Sequence, residues 1–230
     1  MPPPSPESPM FDRLQDRLGH RFSDTGLLRA AMTHASTGLA GNYERLEFLG
    51  DRVLGLVMAE ILFEMFPQEA EGDLAKRHAA LVQGRMLAEI ARTIDLGDAL
   101  LVSEAERDAG GVDNDNMLAD GLEALIGALY LDGGLTSCQT MIRTLWGERV
   151  KIMKEPPQDP KTALQEWAQG RGLPLPLYEQ VSRDGPDHAP RFLIRVTVRG
   201  YAPAQAEGSS RRAAEKDAAR ALLEALEHSS

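Results

Sequence analysis

Three prolines within five residues, Pro156, Pro157 and Pro160, divide this chain into two stretches with different hydrophobic periods. Proline fixes φ, lacks a backbone donor and pushes the residue before it out of the helical region, so no helix runs through this segment. Over residues 11–154 apolar positions recur at helical spacing, as in Leu118, Leu122, Leu125, Ile126 and Leu129, or Ile142, Leu145 and Val150. Strand signals are nearly absent there, and the pattern predicts an all-α domain of about seven helices. Gly97 and Ala109-Gly110-Gly111 mark loops, with an acidic connection at 101–115. Beyond the prolines, Phe192, Ile194, Val196 and Val198 alternate with Leu193, Arg195, Thr197 and Arg199, the signature of a strand with one buried face. Weaker strands at 178–183 and 201–206 flank it, between helices at 161–170 and 209–226. The expected organisation is a flexible, proline-rich tail over 1–10, an all-α domain over 11–154, a linker at 155–159 and a small α+β domain over 160–228 in the order α-β-β-β-α.

The uncharged apolar runs, 53–59 and 124–131, fall far short of the roughly 18 residues that span a bilayer, so no membrane role is expected. A lone cysteine, Cys138, and an N-terminus without a basic start or apolar core point to a reducing cytoplasm. The net charge of −10 argues against a nucleic-acid partner only as an average. Residues 1–155 carry all of it, and residues 156–230 are neutral.

The first domain holds the acids that carry chemistry. In Glu44-Arg45-Leu46-Glu47-Phe48-Leu49-Gly50-Asp51, the three acids fall within a sector of about 60° on one helix face. Leu46, Leu49, Val53, Leu56 and Val57 bury the remainder of that helix, which places the acidic sector beside the core. Asp120 and Glu123 repeat the spacing on another apolar helix, and Glu71 and Asp73 stand at a helix start. Acids three apart are ordinarily solvated surface residues. Here, two like charges about 4 Å apart repel by about 4 kcal/mol at an effective dielectric of 20, so protons or a bound cation must neutralise the cluster. Oxygen donors without a Cys or His cluster favour Mg²⁺ or Mn²⁺ over zinc, and His20, His34, His78, His188 and His228 are scattered. Asp113-Asn114-Asp115-Asn116 opens like a calcium loop, but Leu118 and Ala124 replace its required Gly and Glu. There is no Walker A loop, nucleophile elbow or dinucleotide fingerprint.

The run from Tyr43-Glu44-Arg45-Leu46-Glu47-Phe48-Leu49-Gly50-Asp51 to Gly55 resembles the signature of bacterial ribonuclease III, the endonuclease that cuts double-stranded RNA. The resemblance continues through Glu71-Gly72-Asp73, through 118–127 and through the C-terminal unit, covering about residues 11–227. It implies an all-α endonuclease domain followed by a double-stranded RNA-binding domain. It further implies that Glu47, Asp51, Asp120 and Glu123 form the metal centre, with Asp51 and Glu123 catalytic, and that Glu44 and Glu71 handle substrate or a second metal. Arg52 departs from the small residue that many relatives carry, and either salt-bridges Glu44 or Glu47 or turns toward substrate.

In the second domain, Gly208-Ser209-Ser210-Arg211-Arg212-Ala213-Ala214-Glu215-Lys216 opens a helix whose free N–H groups and positive dipole end favour phosphate, although an ordinary basic helix start looks the same. Resemblance to the double-stranded RNA-binding domain implies that Gln165, Glu166 and Gln169 meet 2′-hydroxyls, that His188 enters the next minor groove, and that Arg211, Arg212 and Lys216 straddle phosphates. Glu207, Glu215 and Asp217 dilute that positive field, so a shallow salt dependence is expected.

The resemblance therefore implies a cytoplasmic homodimer that uses Mg²⁺, with Mn²⁺ able to substitute, to cut double-stranded RNA into 5′-phosphate and 3′-hydroxyl ends with short 3′ overhangs, serving ribosomal, messenger and transfer RNA processing. Two other classes remain open from the sequence. A non-catalytic duplex-RNA-binding protein would not need the acids at 47, 51, 120 and 123, and an all-α Mg²⁺-dependent nucleotide pyrophosphohydrolase would not need the RNA-binding unit.

Overall fold

A computed structural model describes residues 8–39, 41–186 and 190–227, which form two compact units, one up to Pro157 and one from Gln158. The first is all helical: α1 (Ser8–Leu18), α2 (Thr25–Met32), α3 (Glu44–Met65), α4 (Glu71–Leu81), α5 (Gly84–Thr93), α6 (Leu96–Ala99), α7 (Glu104–Asp108) and α8 (Asp115–Ile152). Helix α1 begins inside the segment expected to be a tail. Pro9 lies in its first turn, where the missing N–H has no intrahelical partner to lose. Residues 1–7 of that expected tail lie outside the described residues. Asp24, Ser103 and Asn114 cap α2, α7 and α8 by accepting from backbone N–H groups of the first turn. The two apolar runs at 116–131 and 135–153 join end to end in α8, interrupted at Gly134, whose φ of 71° suits glycine alone.

Helices α3 and α8 form the centre of the unit. Leu54, Val57, Met58 and Leu62 of α3, and Leu122, Ala124, Leu125, Ile126 and Leu129 of α8, are fully buried. Two glycines set how closely these helices approach. A Cβ on Gly50 would overlap the Glu123 carbonyl oxygen and lie 2.9 Å from the Gly127 nitrogen; one on Gly127 would overlap the Leu46 carbonyl oxygen and lie 3.2 Å from the Gly50 nitrogen. The helices therefore touch backbone to backbone. Leu56, expected in the core, is 59% exposed, because α3 is apolar on nearly all sides and the α8 contact claims only part of its circumference. Beyond the crossing, the buried Arg77 of α4 donates to both oxygens of Glu69 (2.8 and 2.6 Å) and to the Met153 and Lys154 carbonyls, closing the C-terminal end of α8. Cys138 is buried and free, and burial pushes its thiol up to about 11.

The second unit runs α9 (Pro160–Gln169), β1 (Leu177–Asp184), β2 (Arg191–Thr197), β3 (Ala204–Gly208) and α10 (Arg211–Glu227). The strands form an antiparallel sheet in the order β1-β2-β3, and Leu164, Ala168, Ile194, Val196, Ala214, Ala218 and Leu222 bury against one another as its core. Strand β3 starts at Ala204 rather than near Tyr201. Gly200 turns the chain with φ of 90° and Pro203 has no N–H for the ladder, so pairing begins after them.

The glycine crossing gives a paired expectation. Gly50→Ala must force α3 and α8 apart and should destabilise the chain by about 3 kcal/mol. Gly55→Ala, on the same helix with His78 no nearer than 3.7 Å, should stabilise it by up to about 1 kcal/mol. Urea denaturation of the two variants measures both; equal effects would mean that the close approach is not set by Gly50.

Candidate active site and nucleic-acid interface

The backbone contact at Gly50 and Gly127 brings acids of both helices to one place. Glu47 lies one turn before Gly50 on α3, and Asp120 and Glu123 lie on the two turns of α8 before Gly127. One carboxylate oxygen from each of Glu47, Asp120 and Glu123 falls within 4.8 Å of the other two, and all three residues are half-buried. Burial raises the Glu123 carboxyl to about 7, with Glu47 and Asp120 adding to the rise and Arg52 opposing it. Burial likewise lifts Glu47, helped by Asp120 and Glu44, and lifts Asp120 against the pull of His34. These shifts mark carboxylates that cannot all ionise without a positive charge among them. Three hard oxygen donors at this spacing fit a small divalent cation.

The other expected site residues are placed differently. The Asp51 carboxylate, one turn beyond Glu47, is paired with the Arg52 guanidinium and is not part of the close trio; Arg52 also lies 5.4 Å from the centre of the Phe48 ring. Arg52 thus pairs with neither Glu44 nor Glu47. Glu44 is exposed on the first turn of α3 and acts on the trio through Glu47. Glu71 is exposed at the first residue of α4 and stands outside the trio.

Three further neighbours of the trio, Tyr43, His34 and Glu106, have no site role that the sequence pattern assigns. Tyr43 precedes α3, is 4% exposed and donates its backbone N–H to the Thr33 carbonyl at 3.0 Å. Burial, then Asp120, Glu47, Glu44 and Glu106, push its hydroxyl well above the usual tyrosine range, so it stays protonated among four acids. His34 packs edge-on against Tyr43, with ring centroids 5.3 Å apart, and its Nδ1 accepts from the Ser36 N–H at 3.0 Å. Glu106 arrives from α7, within the stretch that composition marked only as an acidic connection. No local period singles out Glu106 or His34, because loops and chain reversals bring them to the site.

In the second unit, Gln165, Glu166 and Gln169 lie exposed along α9, and Arg211 and Arg212 are exposed at the start of α10. Ser210 caps that helix by accepting from the Ala213 N–H at 3.2 Å. Gly208 lets β3 pass directly against α10, since a Cβ there would meet the Ala214 nitrogen at 2.5 Å. Of the basic residues, Arg211 pairs with Glu215 and Lys216 with Asp159, whereas Arg212 has no ion partner among the described residues. His188 lies outside the described residues.

Comparison with known proteins gives two family matches. Residues 24–148 match the model described as ribonuclease-III-like, and residues 160–226 match the double-stranded RNA binding motif. Proteins named ribonuclease 3 are similar over nearly the whole chain. One from Dinoroseobacter shibae is 51% identical, covering 92% of this chain and 93% of its own, and one from Caulobacter vibrioides is 50% identical, covering 92% and 94%. Among solved structures, the nuclease domain of ribonuclease III from Campylobacter jejuni, described for flexibility in a region involved in its dimer formation, aligns with a TM-score of 0.59 at 44% identity, covering 60% of this chain and 96% of that one.

The raised carboxyls fix the sign of a stability measurement. In the metal-free protein the folded chain keeps the Glu123 proton up to about pH 7, whereas an unfolded glutamate releases it near 4.5. The folded state binds more protons between those values, so stability should fall as pH rises through that window. A divalent cation should restore it, most strongly above pH 7. Melting curves across pH, with and without Mg²⁺, test this; a Mg²⁺-independent melting temperature at pH 8 would contradict it.

Proposed function

Because the chain belongs to the ribonuclease III family and is an endoribonuclease, we propose that it hydrolyses double-stranded RNA with Mg²⁺ held by Glu47, Asp120 and Glu123, and with Asp51 joining them from the next turn of α3. The observation that carries this reading is the meeting of acids from α3 and α8 within 4.8 Å inside the matched nuclease segment. A divalent ion at such a centre supplies charge stabilisation on the phosphoryl oxygens and a water of lowered pKa.

The chain's own residues have separate tasks in this scheme. Glu47, Asp120 and Glu123 concentrate negative charge where desolvation makes it most effective. Tyr43 stays protonated beside them as a neutral donor. Arg52 holds the Asp51 carboxylate and must release it for Asp51 to join the centre. The second unit holds the duplex by its A-form shape, with α9 and the start of α10 meeting 2′-hydroxyls and phosphates over about 16 base pairs.

A homodimer completes the reading. Phe48, Leu56 and Phe63, 68, 59 and 74% exposed, lie within one sector of α3, and an apolar stripe of this kind is an interaction surface. Two copies joined there provide two sites, one for each strand, and leave 5′-phosphate and 3′-hydroxyl ends with a short 3′ overhang. Structured precursors of ribosomal, messenger and transfer RNA in the cytoplasm are the substrates that this chemistry suits. No helix among the described residues is long and apolar enough to cross a membrane.

Glu123→Gln keeps the shape of the site and removes one charge. Duplex RNA cleavage should fall by ~100-fold or more while duplex binding stays within a few-fold of the parent. Gel-resolved cleavage and filter binding on the same labelled duplex measure the two. Retained activity would remove Glu123 from the reaction.

A further inference from the structure

Lys161, Arg211 and Lys216 all lie at the end of the second unit where α9 and α10 begin, and none has a free charge. Glu215, with a side chain only 13% exposed, accepts from Lys161 Nζ at 2.5 Å through one oxygen and from Arg211 Nε at 3.0 Å through the other. Asp159 accepts from Lys216 Nζ at 2.7 Å and from the Lys161 backbone N–H at 3.0 Å. Lys161 Nζ also stands 4.8 Å from the centre of the Tyr178 ring. The Tyr178 hydroxyl is buried without a hydrogen-bond partner among the described residues. Lys161 Nζ thus stands between the Tyr178 ring and the Glu215 carboxylate, and burial, then Glu215, then Asp159 push the hydroxyl up to about 12. An unspent donor beside a doubly paired carboxylate is costly unless another arrangement uses it.

We propose that Glu215 is a built-in competitor for RNA phosphate, and that duplex binding is an ion-pair exchange in which Lys161 and Arg211 leave Glu215 for phosphate oxygens while the Tyr178 hydroxyl turns to that carboxylate. This rests on the reading of the second unit as the RNA-binding unit. In the free protein the pairs hold the cations, and the hydroxyl goes unbonded. In the complex the phosphates take the cations, and the half-buried Glu215 would be stranded but for Tyr178. The exchange accounts for a neutral domain that still binds a polyanion. It also makes the salt dependence shallow, because a carboxylate released on binding takes up a solution cation and offsets one released from the RNA.

The test uses the full-length chain in EDTA, so that a duplex RNA of about 20 base pairs, long enough to fill the domain, is bound and not cut. Dissociation constants are measured across a salt series for the parent, Glu215→Gln and Tyr178→Phe, with a melting temperature for each. Glu215→Gln should tighten binding several-fold and steepen the slope of log Kd against log salt by about one. Tyr178→Phe keeps the ring under Lys161 and should weaken binding several-fold with an unchanged or higher melting temperature. Binding by Tyr178→Phe equal to the parent, or by Glu215→Gln no tighter than the parent, overturns the exchange. If Glu215→Gln melts early, Tyr178→Phe decides alone, since its fold loses no hydrogen bond. A parent chain that binds no duplex would instead overturn the RNA-binding reading itself.

Discussion

The crossing of α3 and α8 at Gly50 and Gly127 is the constraint from which the rest of the first unit follows. No side chain separates the two backbones there, because a Cβ on either glycine would enter the other helix. That approach sets Glu47 opposite Asp120 and Glu123 at a spacing shorter than their mutual repulsion favours. The apolar neighbours Leu54, Val57, Leu122 and Leu125 hold the helices together against that repulsion. The raised carboxyls are the electrostatic record of the contest, and the three oxygens are spaced so that one cation could resolve it.

The two units manage charge in opposite ways. In the first, like charges are forced together, so a cation bound among them would stabilise the fold by relieving their repulsion. In the second, every basic side chain but Arg212 at the head of α9 and α10 is neutralised internally, by Glu215 or Asp159. Binding a polyanion there is a substitution of partners rather than a simple attraction. An acidic chain can therefore act on RNA without a strongly basic surface.

Much of this was legible in the sequence, for reasons that differ from residue to residue. The prolines at 156, 157 and 160 divide the chain because proline geometry is local, and the period of 2 in β2 fixes a strand because alternation is local as well. The acids at 44, 47 and 51 share a helix face by arithmetic alone. What pattern does not carry is the meeting of two helices. Nothing in the spacing of Asp51 says that Arg52 holds its carboxylate, and nothing in the apolar character of Leu56 says that it faces outward. His34, Tyr43 and Glu106 reach the site through connections whose course is set by tertiary packing. The start of β3 at Ala204 is legible after all, because Gly200 and Pro203 mark a turn before it.

In the proposed centre one ion is shared by carboxylates from both sides of the glycine crossing. Anomalous diffraction from crystals grown with Mn²⁺ would locate that ion. A peak is expected within about 2.2 Å of oxygens from Glu47 on α3 and from Asp120 or Glu123 on α8. A peak bound by acids of only one helix, or none at the crossing under saturating Mn²⁺, would contradict it.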